Sequence, residues 1–594
     1  MYIRAATRKN KDGSPVRYLQ LAHNVWDAQA QMSRTKVLYS FGREDEIDRA
    51  AVERAVTALT KLLDPAKAAA LTGPPGLVFT QARPIGGTYV LDRLWRRLGL
   101  DTALRTQLAG CRRDPRVERV LFALVANRAL DPCSKLAATD WISSDVHIDE
   151  LTGVDEQSCY RAMDWLLEVE PALAKETYFQ VSDLFNLHLD LIFFDTTTTY
   201  AEIDEPDEPV ARDAHGRVLD PAPDPDPAAA PATDAVADPA GGPDQDARAA
   251  MDGSPGKAAG FRVHGHSKDH RPDLPQVVVG MAVTREGIPV RVWSWPGNAT
   301  DTNLIAQVKQ DLREWSLSRV IWVADRGFTS KSNRKALMRA GGGYILGEKL
   351  RSGSPEVQAA LARPGRYRTV ADNLQVKQVN IGTDDRFVIC FNPEQATRDA
   401  ALRDKLVDHL TTMLDGSDKL TATKRAELRG VISTKPGLNR FLRVTPGGLL
   451  RVDTKKITAE QRLDGKYLLR CSDPHLSAED IALGYKQLLQ VERGWRDMKQ
   501  IIDLRPLYHR KEDRIRAHVI LCWLALLLIR IAETTTGQTW NQIRAQLQRI
   551  HAATFTGPAG TYRQTSELTK PQRDAFTALD IPTPPRIIEL TTSP

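Results

Sequence analysis

Residues 484–506, GYKQLLQVERGWRDMKQIIDLRP, place Tyr485, Glu492 and Lys499 at seven-residue intervals. With about 3.6 residues per helical turn that interval is nearly two turns, so the three side chains share a face, with Arg496 beside them. A carboxylate between an aromatic hydroxyl and two cations suits a site that holds a metal ion and a phosphate. On a lone helix the same stripe reads equally as a solvated ion-pair face. Two further acids separate these readings. Asp195 closes the apolar run LDLIFFD and is followed by four threonines, and Asp325 closes RVIWVAD. Carboxylates at strand ends offer hard oxygen ligands on a rigid frame, which suits magnesium. Two such ions about 4 Å apart would serve an in-line displacement at phosphorus.

The elements that must position these acids follow from the pattern. Ser477-Ala-Glu-Asp480 is a capping-box-like start for one helix over 484–506, and Pro506 stops it. After the Asp195 strand come QVVVGMAVT and IPVRVWSWPG, joined by a short turn, then a helix over 302–316. The Asp325 strand, a helix over 330–340 and the strand YILGEKL complete the order β–β–β–α–β–α. With the first three strands antiparallel and the fourth beside the first, that is a ribonuclease H-like mixed sheet flanked by helices. It makes Asp195 and Asp325 neighbours, although they lie 130 positions apart. The 166 residues between Asp325 and Glu492 are too many for one connection. Residues 351–470 read as an inserted mixed domain with strands QVKQVNIG, RFVICFN and GKYLLRC and helices over 398–414 and 422–431.

Upstream, residues 2–42 contain three strand-like runs and 46–63 a helix-like one, and from about 88 to 188 the apolar spacing is helical. Arg96, Arg97, Arg105, Arg112, Arg113, Arg116 and Arg119 cluster there and are candidates for DNA phosphates. Between 204 and 257 there are 13 acidic and 4 basic residues, a net of −9, so the rest of this +6 chain carries +15. A basic body with an acidic, Pro/Ala-rich tether suggests a polyanionic partner, and the tether itself reads as disordered. Six scattered cysteines, with no CxxC pair, exclude a disulfide framework and fit a reducing cytoplasm. The amino terminus lacks a signal-peptide core, and the most apolar run, 518–531, is too short and too closely flanked by arginines to span a bilayer. The expectation is a soluble cytoplasmic protein with no membrane partner.

The chain resembles insertion-sequence transposases of the DDE type, in the branch whose ribonuclease H-like core is split by an insertion before the glutamate. FFDTTTTY and VADRGF carry the first two acids of that pattern, and GHSKDHRPDLPQ and GNATD match the same group. The helix pattern Y-x2-R-x3-E-x6-K falls on Tyr485, Leu488, Glu492 and Lys499. The resemblance runs from about residue 2 to 533. It implies cleavage and strand transfer on double-stranded DNA, both element ends and target, by a homodimer on paired ends. Asp195, Asp325 and Glu492 would be catalytic and hold two Mg²⁺ ions, for which Mn²⁺ can substitute. Tyr485, Arg496, Lys499, Lys268 and Arg271 would contact DNA. Leu488 departs from the family's arginine, so that arginine's phosphate contact is either absent or displaced to Arg493 or Arg496. Residues 351–470 also lack the base-stacking tryptophan of related enzymes, leaving Tyr367, Phe387, Phe391 or Tyr467 in its place.

The expected domains are a small β-rich one at 1–80, a helical DNA-binding region at 81–188 and the first part of the core at 189–350, with 204–258 as the disordered spacer. The inserted domain follows at 351–475, the second part of the core at 476–535 and a carboxy-terminal tail region at 536–594. The rival readings are a metal-dependent nuclease or resolvase on the same fold, and a catalytically idle DNA-binding derivative. His264, His266 and His270 could ligate a metal, but in a basic loop they read more simply as polar packing or phosphate contacts.

Overall fold

The computed structural model describes residues 1–10, 13–27, 29–50, 52, 56, 77–184, 190–212, 218, 260–315, 320–351, 353–557 and 560–592. They form two compact units, one of Met1–Gln81, Ala553–Gln564 and Ile587–Pro594, the other of Ala82–Ala552 and Thr565–Arg586. In the first unit, β1 (Tyr2–Lys9), β2 (Pro15–Asp27) and β3 (Met32–Arg43) make an antiparallel sheet from the three strand-like runs. The helix expected over 46–63 lies largely outside the described residues. A strand β4 (Val78–Pro84) precedes the second unit.

The helical stretch is realised as Gly86–Arg97, Leu100–Ala109, Val117–Leu130, Lys135–Asp140 and Glu156–Leu184. The last of these merges two expected helices across Pro171. The arginines expected to face phosphate are mostly paired within the protein. Arg119 is buried between Asp92 and Glu118 at 2.5 and 2.6 Å, and Arg96 bonds Asp92 at 2.8 Å. Arg105 reaches Glu118 and Glu150, Arg113 reaches Glu168, and Arg116 holds Asp114. Arg119 is thus internal to the fold, whereas Arg105, Arg113 and Arg116 stay partly exposed beside their acids.

The core sheet carries the acids. β5 (Leu191–Tyr200) pairs antiparallel with β6 (Gln276–Val283), which pairs with β7 (Pro289–Pro296). β8 (Ile321–Ala324) lies parallel to β5, with Phe194 opposite Ala324, and β9 (Gly343–Glu348) lies parallel to β8. The runs LIFF and IWVA are buried throughout, as a parallel pair covered on both faces requires. Residues 204–212 are not free tether: Asp207 accepts from the Arg262 guanidinium at 2.6 Å, and buried Arg212 pairs with Glu512 at 2.8 Å. Apart from Val218, the rest of the expected spacer lies outside the described residues.

The insertion does not build a separate sheet. β10 (Arg368–Ala371), β11 (Leu374–Val379), β12 (Arg386–Phe391) and β15 (Lys466–Cys471) extend the core sheet from β9. The order is β7-β6-β5-β8-β9-β15-β12-β11-β10, nine strands among the described residues. Helices Pro393–Leu414 and Ala422–Ser433 and the short strands β13 (Leu442–Val444) and β14 (Leu450–Val452) gather around their own apolar cluster, including Leu410, Ile432 and Phe441.

The expected single helix over 484–506 is two, Ala478–Lys486 and Leu489–Gln500. The Ser477/Asp480 capping box opens the first. At the break Leu488 N donates to Tyr485 O and Val491 N to Leu488 O, i-to-i+3 bonds that tighten the chain into a 3₁₀-like turn. Helix Glu512–Thr536 is long and apolar enough by composition to cross a membrane, but 94% of its apolar window is buried inside the protein. Its Trp523 indole donates to Pro289 O of β7. The carboxy-terminal region is folded: helix Trp540–Leu547, β16 (His551–Gly557), β17 (Gly560–Thr565), helix Lys570–Ala578 and β18 (Ile587–Thr592). The sheet order there is β18-β17-β16-β4.

Candidate active site

Register brings the first two acids together. Phe194 and Ala324 are partners in the parallel β5/β8 pair, so Asp195, midway along β5, and Asp325, just past the end of β8, are neighbours one residue further on. The helix with Glu492 lies on the same sheet. A Cβ added at Gly494 would meet Met281 Cε at 2.6 Å, and Met281 is the cross-strand partner of Asp195. Glycine at 494 thus lets the helix backbone approach β6 two residues from Glu492. Glu492 and Asp325 line one cleft of about 750 Å³, whose far wall comes from the insertion.

Each of the two aspartates has a resident neighbour. The Tyr485 hydroxyl donates to Asp325 Oδ1 at 2.9 Å, and its ring stacks on Tyr467 with centroids 5.9 Å apart. Burial, then the Asp325 charge, pushes the Tyr485 phenol far above its ordinary pKa, so it stays a donor. Lys268 Nζ lies 3.6 Å from Asp195 Oδ1 and donates to Thr196 O and Oγ1 at 2.6 and 2.8 Å. Its backbone N–H donates to Thr198 Oγ1. The four threonines are all buried, and Thr197 and Thr199 bond Lys499 and Leu504 O. They anchor other elements as well as continuing the strand.

Lys499 was expected to be exposed and is not. Its side chain is 11% exposed, with Nζ 2.6 Å from Thr197 Oγ1 and 2.7 Å from Asp269 Oδ1. Burial lowers its pKa, and the Asp269 bond opposes that shift. Asp269 also receives Arg505 and is 4% exposed. Arg496 is open to solvent, 3.9 Å from Asp497. Arg271 pairs with Asp273 at 2.8 Å and lies over the Tyr200 ring. Of the two proposed stand-ins for the family arginine, Arg493 is tied to Glu533 at 3.1 Å, and Leu488 is buried at the helix break. Phe387 is buried in the apolar core of the insertion and is excluded as a stacking platform, whereas Tyr467 lines the cleft.

Among the described residues no three His, Cys, Asp or Glu side chains converge closely enough to hold a metal ion, which covers the His264/His266/His270 loop. The hard oxygens of Asp195 and Asp325 on neighbouring strands suit a hard divalent cation. Glu492 lines the same cleft without closing a three-carboxylate group. The cleft wall is not uniformly cationic: Arg351 and Arg440 sit on Glu460, and Arg403 on Asp464. Sequence reading gave no role to Asp269 or Gly347, and only their place beside Lys499 and Tyr485 reveals one.

Residues 245–528 match the model of the transposase DDE domain, and residues 3–69 match the N-terminal domain of the IS1634 family transposases. The chain belongs to the DDE superfamily of insertion-sequence transposases. The DDE match includes Asp325 and Glu492, with Asp195 upstream of it. A cryo-EM structure of a piggyBac transposase synaptic complex with hairpin DNA aligns over 79% of this chain and 82% of that one, at 11% identity and a TM-score of 0.29. That likeness is too distant to carry a conclusion about this chain. Among curated proteins none matches significantly.

Proposed function

We propose that this chain is the transposase of an insertion sequence, binding its terminal inverted repeats and catalysing metal-dependent strand cleavage and strand transfer on a ribonuclease H-like core. The reading is supported by the parallel β5/β8 register, which makes Asp195 and Asp325 neighbours, and by the cleft that Asp325 and Glu492 line together. Asp195, Asp325 and Glu492 would hold Mg²⁺, two ions in the full reading, with Mn²⁺ as substitute. Bound there, the metal supplies Lewis-acid activation of the attacking oxygen and charge stabilisation of the leaving one. Tyr485 holds the Asp325 carboxylate by donating to Oδ1. Arg496, Arg271 and Lys268 are the accessible cations for the DNA backbone. A homodimer on paired ends, and a cytoplasmic location, belong to the same reading.

The test uses the full chain, a duplex carrying the inverted repeats that flank the gene, a target plasmid and Mg²⁺. Asp195→Asn, Asp325→Asn and Glu492→Gln should each lower cleavage by about 100-fold or more while end binding stays within about twofold, because the amide keeps shape and loses the charge that holds metal. A variant cleaving at the wild-type rate removes that residue from the site. Cleavage without any joined element–target product makes the protein a nuclease instead.

A further inference from the structure

We infer that Asp269 is a positioning residue that fixes, through Lys499, the register between the helix bearing Glu492 and the strand bearing Asp195. The inference rests on the proposed function for what the two acids do, and on geometry alone for how they are held. Asp269 Oδ1 accepts from Lys499 Nζ at 2.7 Å and also receives Arg505, while Lys499 donates at 2.6 Å to Thr197. Thr197 is two residues past Asp195, hence on the same face of β5. The adjacent Lys268 grips two of the other three threonines, Thr196 and Thr198. One loop therefore holds the strand directly and the helix through a buried ion pair.

The spacing is consistent along the helix. Gly494 sits on Met281, the partner of Asp195, and Lys499 sits on Thr197. Five helical residues rise about 7.5 Å, and two strand residues about 6.6 Å. The two contacts thus pin the helix along β5 at matching intervals, and Glu492 has no freedom to slide relative to Asp195. Asp269 is suited to such a role. Its side chain is 4% exposed and Oδ1 receives both Lys499 and Arg505, so the carboxylate serves its two cations rather than a ligand in solution. A lysine held in this way is not offered to a DNA phosphate.

The experiment compares Asp269→Asn, Lys499→Met, the double variant and Lys499→Arg with wild type in the full chain. It measures single-turnover cleavage of the end duplex, end-binding affinity with its salt dependence, and the rise in melting temperature on adding Mg²⁺ without DNA. Asp269→Asn and Lys499→Met should each slow cleavage by about 10- to 100-fold, as expected for a displacement of about an ångström in an active-site group. The double variant should be no slower than the worse single one, Lys499→Arg should recover part of the rate, and end affinity and its salt slope should not change. A phosphate contact predicts the opposite, a salt slope smaller by about one for Lys499→Met. That result overturns the inference, as does wild-type cleavage by Asp269→Asn or a double variant whose losses multiply. If Asp269→Asn does not fold, Thr197→Val, which removes only the hydroxyl under Lys499, takes its place with the same expected outcomes. If the wild type itself fails to cleave, the proposed function fails. The Mg²⁺-dependent melting shift then decides separately: weakened equally in both single variants it supports the positioning role, and unchanged it refutes it.

Discussion

Position 347 on β9 tests the architecture around Asp325 without depending on catalysis. A Cβ built on Gly347 falls 2.3 Å from the Tyr485 hydroxyl, 3.0 Å from Cζ and 3.3 Å from Cε2. Ordinary contact begins near about 3.5 Å, so in Gly347→Ala the hydroxyl must retreat by about 1.2 Å. Its 2.9 Å bond to Asp325 cannot absorb that shift, and Tyr467, stacked 5.9 Å away, limits where the ring can go. Overpacking alone costs about 1–3 kcal/mol. Asp325 is 45% exposed, so water replaces much of the lost bond, which puts that loss near the low end, about 1 kcal/mol. The expected local destabilisation is about 2–4 kcal/mol, at least roughly 30-fold more frequent opening. A chain of this size need not unfold in one step, so the assay is amide hydrogen exchange read on β9 and on helix Ala478–Lys486. Tyr485→Phe removes the 2.3 Å contact and leaves the 3.0 Å one, which a small ring shift absorbs. The double variant should therefore be less destabilised than the two single changes added, by about 1 kcal/mol. Wild-type exchange in Gly347→Ala, or simple additivity, would refute the reasoning.

Two further predictions concern buried charge. Burial pushes His509 down to about 4, and Lys135, buried beside Arg128, down to about 7. The folded chain then binds fewer protons than the unfolded one between about 4 and 6.5, and again between about 7 and 10.5, so stability rises with pH in both windows, by at most about 1.4 kcal/mol per unit per group. His509→Gln should flatten the lower window in a melting-temperature series, and an unchanged slope there would exclude His509 as its source. Arg530, buried with 2.5 Å bonds to both Asp497 and Glu533, joins the Glu492 helix to helix Glu512–Thr536. Arg530→Met takes from buried Asp497 its close cation and leaves Glu533 with Arg493 alone, which should cost about 3 kcal/mol, seen as a lower melting temperature, and a variant melting with the wild type would show that the pairs carry no net stability.

Much of the core was legible because its signals are local. The apolar runs ending in Asp195 and Asp325 are strands buried on both faces, and the order of elements placed β8 beside β5. The capping box at Ser477 was readable for the same reason. The carboxy-terminal region was missed although Thr539-x-x-Gln542 and Thr569-x-x-Gln572 are both capping boxes in the structure. Their signal lies in polar residues, which an apolar-period reading passes over. The insertion was recognised by length and strand content, but its joining to β9 was not, because edge pairing depends on backbone hydrogen bonds that no side-chain pattern encodes.

The helix over 484–506 marks the boundary between what spacing can and cannot tell. Seven-residue intervals predicted that Tyr485, Glu492 and Lys499 share a face, which assumes an unbroken helix. The 3₁₀-like turn at Gln487 and Leu488 ends the first helix there. Tyr485 turns to Asp325 from one helix, and Lys499 turns to Thr197 and Asp269 from the other. The residue types were informative, and the shared face held for Tyr485 and Glu492, which line one cleft, but not for Lys499. An aromatic hydroxyl suits a carboxylate, and an ammonium suits a carboxylate as well as it suits a phosphate. Sequence alone had no means of choosing between Asp269 and DNA as the partner of Lys499, because Asp269 lies 230 positions away in a loop whose docking depends on the threonines of β5. The spacing of a motif thus names the cation, and the fold names its partner, which for Lys499 is Asp269.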